Sequence, residues 1–324
     1  MVKKIKVSAP GKLMLFGEHA VIYHWPCLVT AIDQRMRVWI KKKPGAKIEI
    51  EALDVGVAGY ARKVEDLGKK ANIPKGVRFL EAATKNFFEK YEVQSGLKIR
   101  TKSEFSSAFG FGSSSAVTVG TLRGLGALFK IRLGKKQLFN LAYRTVLDVQ
   151  GVGSGFDLAA AIWGRTVYFV TGGRTIVPLK IKKLPLVIGY TGIKADTPTL
   201  VHQVAQLRRR QPRLVNGIFD NIALLTQKAK SVLLKSDWQA AGELMNLNQG
   251  FLAALGVNTP ELASLVFAAR EAGAYGAKLS GAGGGDCMIA LVPERKKALV
   301  IRAIKKAGGE YLDVESNAEG VKIL

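Results

Sequence analysis

The chain has 324 residues, 48% of them hydrophobic and 23% charged, a length and composition suited to a globular protein with one large or two ordinary domains. No stretch reaches the roughly 18 to 20 uninterrupted apolar residues of a membrane span, and the basic start, Met1 to Val7, lacks the apolar core of a secretory signal. A formal charge of +24 leaves nucleic-acid binding open as a class.

In chain order, alternation and β-branched content predict strands at 6–7, 13–16, 36–40, 47–51 and 97–100. Helical spacing predicts helices at 77–91, 114–130, 135–147 and 200–207, then at 213–234, 237–255 and 260–271. A strand at 287–292, a helix at 294–307 and a strand at 320–324 close the chain. No repeat or low-complexity linker interrupts it. The polar stretch 172–183 is the best boundary, giving an amino-terminal domain over 1–178 and a carboxy-terminal one over 179–324. The predicted class is α+β, two lobes with a cleft between them. Cys27 and Cys287 each lie inside apolar segments, as buried free thiols of a cytoplasmic protein would.

Three glycine-bearing runs stand out. The first, Ser8-Ala9-Pro10-Gly11-Lys12-Leu13-Met14-Leu15-Phe16-Gly17-Glu18-His19, reads as a strand, a Pro-Gly turn and a second apolar strand bracketed by Lys12, Glu18 and His19. The second, Gly110-Phe111-Gly112-Ser113-Ser114-Ser115-Ala116, feeds straight into a helix, where backbone N–H groups and the helix dipole favour a phosphate. No Gly-Lys-Ser/Thr follows it, so it is not a P-loop, and Ser115 stands at the third glycine of a dinucleotide fingerprint. The third, Gly281-Ala282-Gly283-Gly284-Gly285, precedes a buried strand and marks close backbone approach to a ligand or another loop.

In this order the three runs resemble the motifs of the GHMP small-molecule kinases, named for galactokinase, homoserine, mevalonate and phosphomevalonate kinases. The resemblance covers nearly the whole chain. Where the family reads Pro-x-Gly-Ala-Gly-Leu-Gly-Ser-Ser, this chain has Ser106-Ser107-Ala108-Phe109-Gly110-Phe111-Gly112-Ser113-Ser114. The resemblance implies ATP between the second and third motifs, held by Gly110, Gly112, Ser113, Ser114, Ser115, Gly281, Gly283 and Gly284. It also implies Mg2+ between the β- and γ-phosphates, with Ser114 as its hydroxyl ligand. Gly153-Ser154-Gly155-Phe156-Asp157 resembles the segment that holds the family's catalytic aspartate. Phosphoryl transfer to a hydroxyl needs such a base, and a neighbouring cation to keep it ionised. Asp157 and Lys12 take those parts.

Within the family, Gly17-Glu18-His19-Ala20-Val21 and the stretch 243–257 are most similar to the mevalonate kinases. Glu18, His19, Lys194 and Thr197 would then face a small-molecule substrate, mevalonate or a close relative. Two features point instead towards phosphomevalonate kinase: Val146 stands where mevalonate kinases carry a metal-binding glutamate, and Asp286 follows the third glycine run. Nucleic-acid binding as the main role is disfavoured, because the Lys and Arg residues are scattered and no nucleic-acid motif accompanies them. Oligomeric state is not legible, and a homodimer stays open.

Overall fold

The computed structural model describes residues 4–69 and 72–324; the first three residues, part of the basic start, lie outside the described residues. The larger of two sheets contains β1 (Lys4–Phe16), β2 (Pro26–Lys43), β3 (Lys47–Ala52), β4 (Val57–Lys63), β5 (Gly96–Ser103), β6 (Thr166–Val170) and β7 (Thr175–Leu179). The smaller holds β8 (Leu186–Tyr190), β9 (Gly276–Ser280), β10 (Cys287–Leu291) and β11 (Glu310–Leu312), in the order β11-β8-β10-β9. The helices are α1 (Arg78–Tyr91), α2 (Ser113–Leu128), α3 (Lys135–Gln150), α4 (Phe156–Trp163), α5 (Thr197–Arg210), α6 (Pro212–Leu234), α7 (Trp238–Ala254), α8 (Pro260–Glu271) and α9 (Lys297–Lys306).

The two expected strands at 6–7 and 13–16 are one. Pro10 and Gly11 do not turn the chain; they form a bulge within β1, where the register against β2 shifts between Pro10 and Lys12. A bulge re-aims the following side chain, and here that side chain is Lys12. β2 is much longer than its predicted centre at 36–40, because its two halves serve different neighbours: Pro26–Thr30 pairs with β6 and Met36–Lys43 with β5. Helices α1–α4 cover one face of this sheet. α2 lies close because Gly120 and Gly124 face it; an added Cβ would stand 2.8 Å from Val38 and from Ile40 respectively.

The chain changes sheets between Leu179 and Leu186. Helices α8 and α9 cover the smaller sheet, with Leu262, Leu265, Met288 and Ile304 in its core. A further apolar cluster joins the lobes, bringing Leu13, Leu15 and Leu28 against Ile188, Ile289 and Met245. The last strand, β12 (Lys322–Ile323), returns to pair with β1. Among the described residues no helix is long and apolar enough to cross a membrane.

Candidate active site

The bulge presents Lys12 to the amino end of α4. Its Nζ lies 3.4 Å from Asp157 Oδ1 and 5.2 Å from the centre of the Phe156 ring. Lys12 is buried; the Asp157 side chain keeps 29% exposure, but its Oδ1 is shielded and makes no hydrogen bond. Burial raises the Asp157 carboxyl above its ordinary range, and Lys12 opposes that rise. The geometry sets one cation beside a desolvated carboxylate.

The second glycine run closes over this pair. Gly112 caps α2 in the left-handed region (φ 77), and a Cβ there would sit 3.2 Å from Lys12 Cγ and 3.7 Å from Asp157 Cβ. The Lys12 N–H donates to Phe111 O at 3.0 Å, tying the loop to β1. Ser113, Ser114 and Ser115 occupy the first turn of α2, where four backbone N–H groups lack helical partners. Beside Ser113 opens a cleft of about 340 Å³ lined by Asp54, Val55 and residues Ser103 to Ser107. Sequence reading missed Asp54 and Val55, which lie in a single 3-10 turn, Leu53–Val55, with no motif.

The third run meets the second at one point: a Cβ on Gly110 would stand 2.5 Å from Asp286 Oδ2. Its own glycines answer mostly to packing. A Cβ on Gly283 would fall 2.2 Å from Val257 O, and one on Gly284 2.7 Å from Leu200. The Gly284 N–H already donates to Val257 O at 2.8 Å. Gly281 alone borders open space. Gly283 and Gly284 are therefore glycine for close approach to another loop, one of the two readings this run carried.

Of the residues assigned to the substrate, Glu18 is also corrected. It is fully buried, ion-paired with the equally buried Lys278, and its Oε2 accepts from Asn248 Nδ2 at 3.1 Å. Both carboxylate oxygens are occupied, so Glu18 joins the lobes and does not face a cleft. His19 is buried too, with Nε2 2.9 Å from Ala282 O. A carbonyl only accepts, so Nε2 carries the proton, and buried Nδ1 keeps a lone pair with no partner. Burial lowers the His19 pKa against the Ala282 bond and Glu18, which favours the neutral ring. Lys194 is exposed on the loop leading into α5, and Thr197 is exposed at the first residue of that helix. That loop is clasped by Asp286, whose Oδ1 accepts from Ala195 N at 2.9 Å and whose N–H donates to Ile193 O at 2.7 Å. Asp286 thus sits where three loops meet.

Two family models match the chain, the GHMP kinases N terminal domain over residues 78–165 and the GHMP kinases C terminal over 229–310. The curated mevalonate kinase of Pyrococcus horikoshii is 38% identical over all of this chain and 98% of its own length. The chain belongs to the GHMP kinases. As a member of that family it is an ATP-dependent small-molecule kinase, with the mixed helix and sheet fold that the sequence led one to expect. Among solved structures, the mevalonate kinase of Methanococcus jannaschii is 25% identical, with a TM-score of 0.83 over 98% of each chain. The phosphomevalonate kinase of Streptococcus pneumoniae, solved with phosphomevalonate and AMPPNP, superposes with a TM-score of 0.81 at 20% identity, covering 96% of this chain and 99% of its own. The GHMP fold is thus common to both substrate classes.

Proposed function

We propose that this GHMP kinase phosphorylates mevalonate, moving the γ-phosphoryl group of ATP to the 5-hydroxyl to give 5-phosphomevalonate. The observation that carries the chemistry is the Lys12–Asp157 pair beneath Gly112. In this reading the Asp157 carboxylate accepts the hydroxyl proton; a carboxyl raised by burial is a stronger base once ionised. Lys12 keeps it ionised and offsets the negative charge that shifts towards the transferring group. The first turn of α2 receives the phosphates, and the cleft beside Ser113 receives the nucleoside. Mg2+ bound with ATP would neutralise charge between the β- and γ-phosphates. Among the described residues no cluster of three His, Cys, Asp or Glu offers a metal cage. That suits an ion that keeps waters and phosphate oxygens as ligands, and the Ser114 hydroxyl is the protein group we assign to it.

Substrate choice rests on the whole-length likeness to a curated mevalonate kinase and on charge. A second phosphate on the substrate would need cationic donors of its own, since an unpaired buried phosphate is costly. In this reading Lys194 and Thr197 meet the substrate carboxylate. We take the first lobe as 1–178 with the returning β12, and the second as the rest. Two free buried thiols fit a cytoplasmic setting, and a homodimer is the assembly to test by light scattering. A coupled ADP-release assay across mevalonate, phosphomevalonate, galactose and homoserine tests the reading. The expected result is the highest kcat/KM on mevalonate; a higher value on phosphomevalonate would overturn it.

A further inference from the structure

Beyond the lobe contact made by Leu13, Leu15 and Leu28, the face of the large sheet opposite the helices has no role in the kinase chemistry. On β1, β2 and β5 the residues buried under the helices include Val7, Val38, Ile40 and Ile99. The residues between them point the other way, and the strand register sets them in rows. One row runs Lys6, Trp39, Arg100; the next runs Lys4, Lys41, Lys98; a third pairs Arg37 with Lys102. The half-buried Trp39 ring is flanked by cations, with Lys6 Nζ 5.9 Å and Arg100 Cζ 6.0 Å from its centre.

Acids reach this face from its margins. Glu49 and Glu51 of β3 pair with Lys43, Lys98 and Arg100, and Glu104 pairs with Arg37. Lys4, Lys6, Lys41 and Lys102 have no acidic partner among the described residues. Cations that look scattered along the sequence are therefore gathered around one aromatic ring by the two-residue period of the strands.

We propose that this face binds single-stranded nucleic acid, with phosphates on the unpaired lysines and a base on Trp39. The chemistry matches a positively charged surface with an aromatic platform. A second copy of the chain would bring the same positive charge and is repelled. A duplex keeps its bases from the ring. A membrane is the poorer fit, since no leucine or phenylalanine accompanies Trp39 in these rows to enter the acyl layer.

Fluorescence anisotropy with a labelled oligouridylate of about 20 nucleotides, titrated against the full chain from about 50 to about 200 mM salt, tests this. Binding should weaken with salt. In Lys6→Glu/Lys41→Glu/Lys102→Glu the affinity should fall at least about 10-fold, with the log–log salt slope smaller by about 2, near 0.7 per lost phosphate contact. Trp39→Ala should lose roughly 5- to 100-fold, the worth of one stacked base. Kinase turnover should be unchanged in both. If the charge-reversed chain does not fold, Lys6→Gln/Lys41→Gln/Lys102→Gln carries the same test. No binding at low salt, unchanged affinity in the folded triple variant, an equal loss of kinase turnover, or tighter binding to duplex RNA or phosphatidylserine vesicles would overturn the proposal.

Discussion

The two glycine-rich loops of this kinase look alike as strings of letters and differ as structures. In the loop before α2, Gly112 is glycine because its backbone is left-handed and a side chain would crowd the stem of Lys12, which with Asp157 forms the pair to which we assign the chemistry. In the loop after β9, Gly283, Gly284 and Gly285 are glycine because a side chain would strike Val257, Leu200 and Ile193, parts of the lobe's own frame. One loop is shaped around reacting groups and the other around its scaffold. A glycine run thus reports close approach, and only the neighbouring atoms say whether the approach is to a ligand, a catalytic residue or another loop.

The sharpest test of the first half is Asp157→Asn. Turnover should fall roughly 10²- to 10⁴-fold, the usual worth of a general base, with ATP affinity by calorimetry little changed. Near-normal turnover would make the acid structural and erase the contrast between the loops. The second half is probed by Lys278→Met, because β9 leads into the scaffold-built loop and its Lys278 is locked to Glu18. Leaving Glu18 buried and unpaired should cost about 3–5 kcal/mol of unfolding free energy. Glu18→Gln in the same chain should restore much of that loss. Strictly additive losses in denaturant titrations would show that the two charges do not depend on each other.

Gly112→Ala and Gly283→Ala compare the loops directly. Both positions have φ near the left-handed region, 77 and 78, so each alanine carries roughly 1–2 kcal/mol of backbone strain. What differs is the neighbour. At Gly112 the added methyl meets the flexible stem of Lys12 at 3.2 Å, so kcat should fall about 10-fold or more as the pair is displaced. At Gly283 it overlaps a backbone carbonyl at 2.2 Å, so the thermal midpoint should fall further while the folded fraction keeps most of its kcat. The reverse ranking in Tm and kcat would invert the roles given to the two loops.

The parts legible in sequence were those with strong local signals. Long amphipathic helices such as α1 and α8 lie within a residue of expectation, and Lys12, Gly112 and Asp157 come together as the motifs implied. What was not legible depends on partners far along the chain. Pro10-Gly11 reads as a turn, yet β2 and β12 on either side of β1 hold it in one strand with a bulge. The short α4 is too apolar to show an amphipathic stripe, since most of it is buried. Glu18 beside His19 suggested a polar pocket because Lys278, which satisfies it, lies 260 residues away. Asp286 falls at the end of a glycine run, and its place among three loops follows only from the pairing of β8 with β10.

The smallest expected effect separates catalytic from structural roles by pH. Burial raises the folded pKa of Asp157 above its unfolded value. Between the two pKa values the folded chain therefore holds more of this proton than the unfolded chain, so its contribution to stability falls as pH rises through that window. Near neutral pH the ionised, partly desolvated carboxylate is a cost that the cleft bears for its chemistry. Asp157→Asn removes that cost, so the variant should unfold at the same or a higher temperature than the parent near pH 7. Its advantage should shrink as pH drops below the folded pKa of Asp157. Asp286, raised in the same direction, stays in both chains and cancels from the difference. A variant less stable than the parent at neutral pH would mean that the carboxylate and Lys12 hold the fold together, and the loop over them would then be scaffold as much as its counterpart after β9.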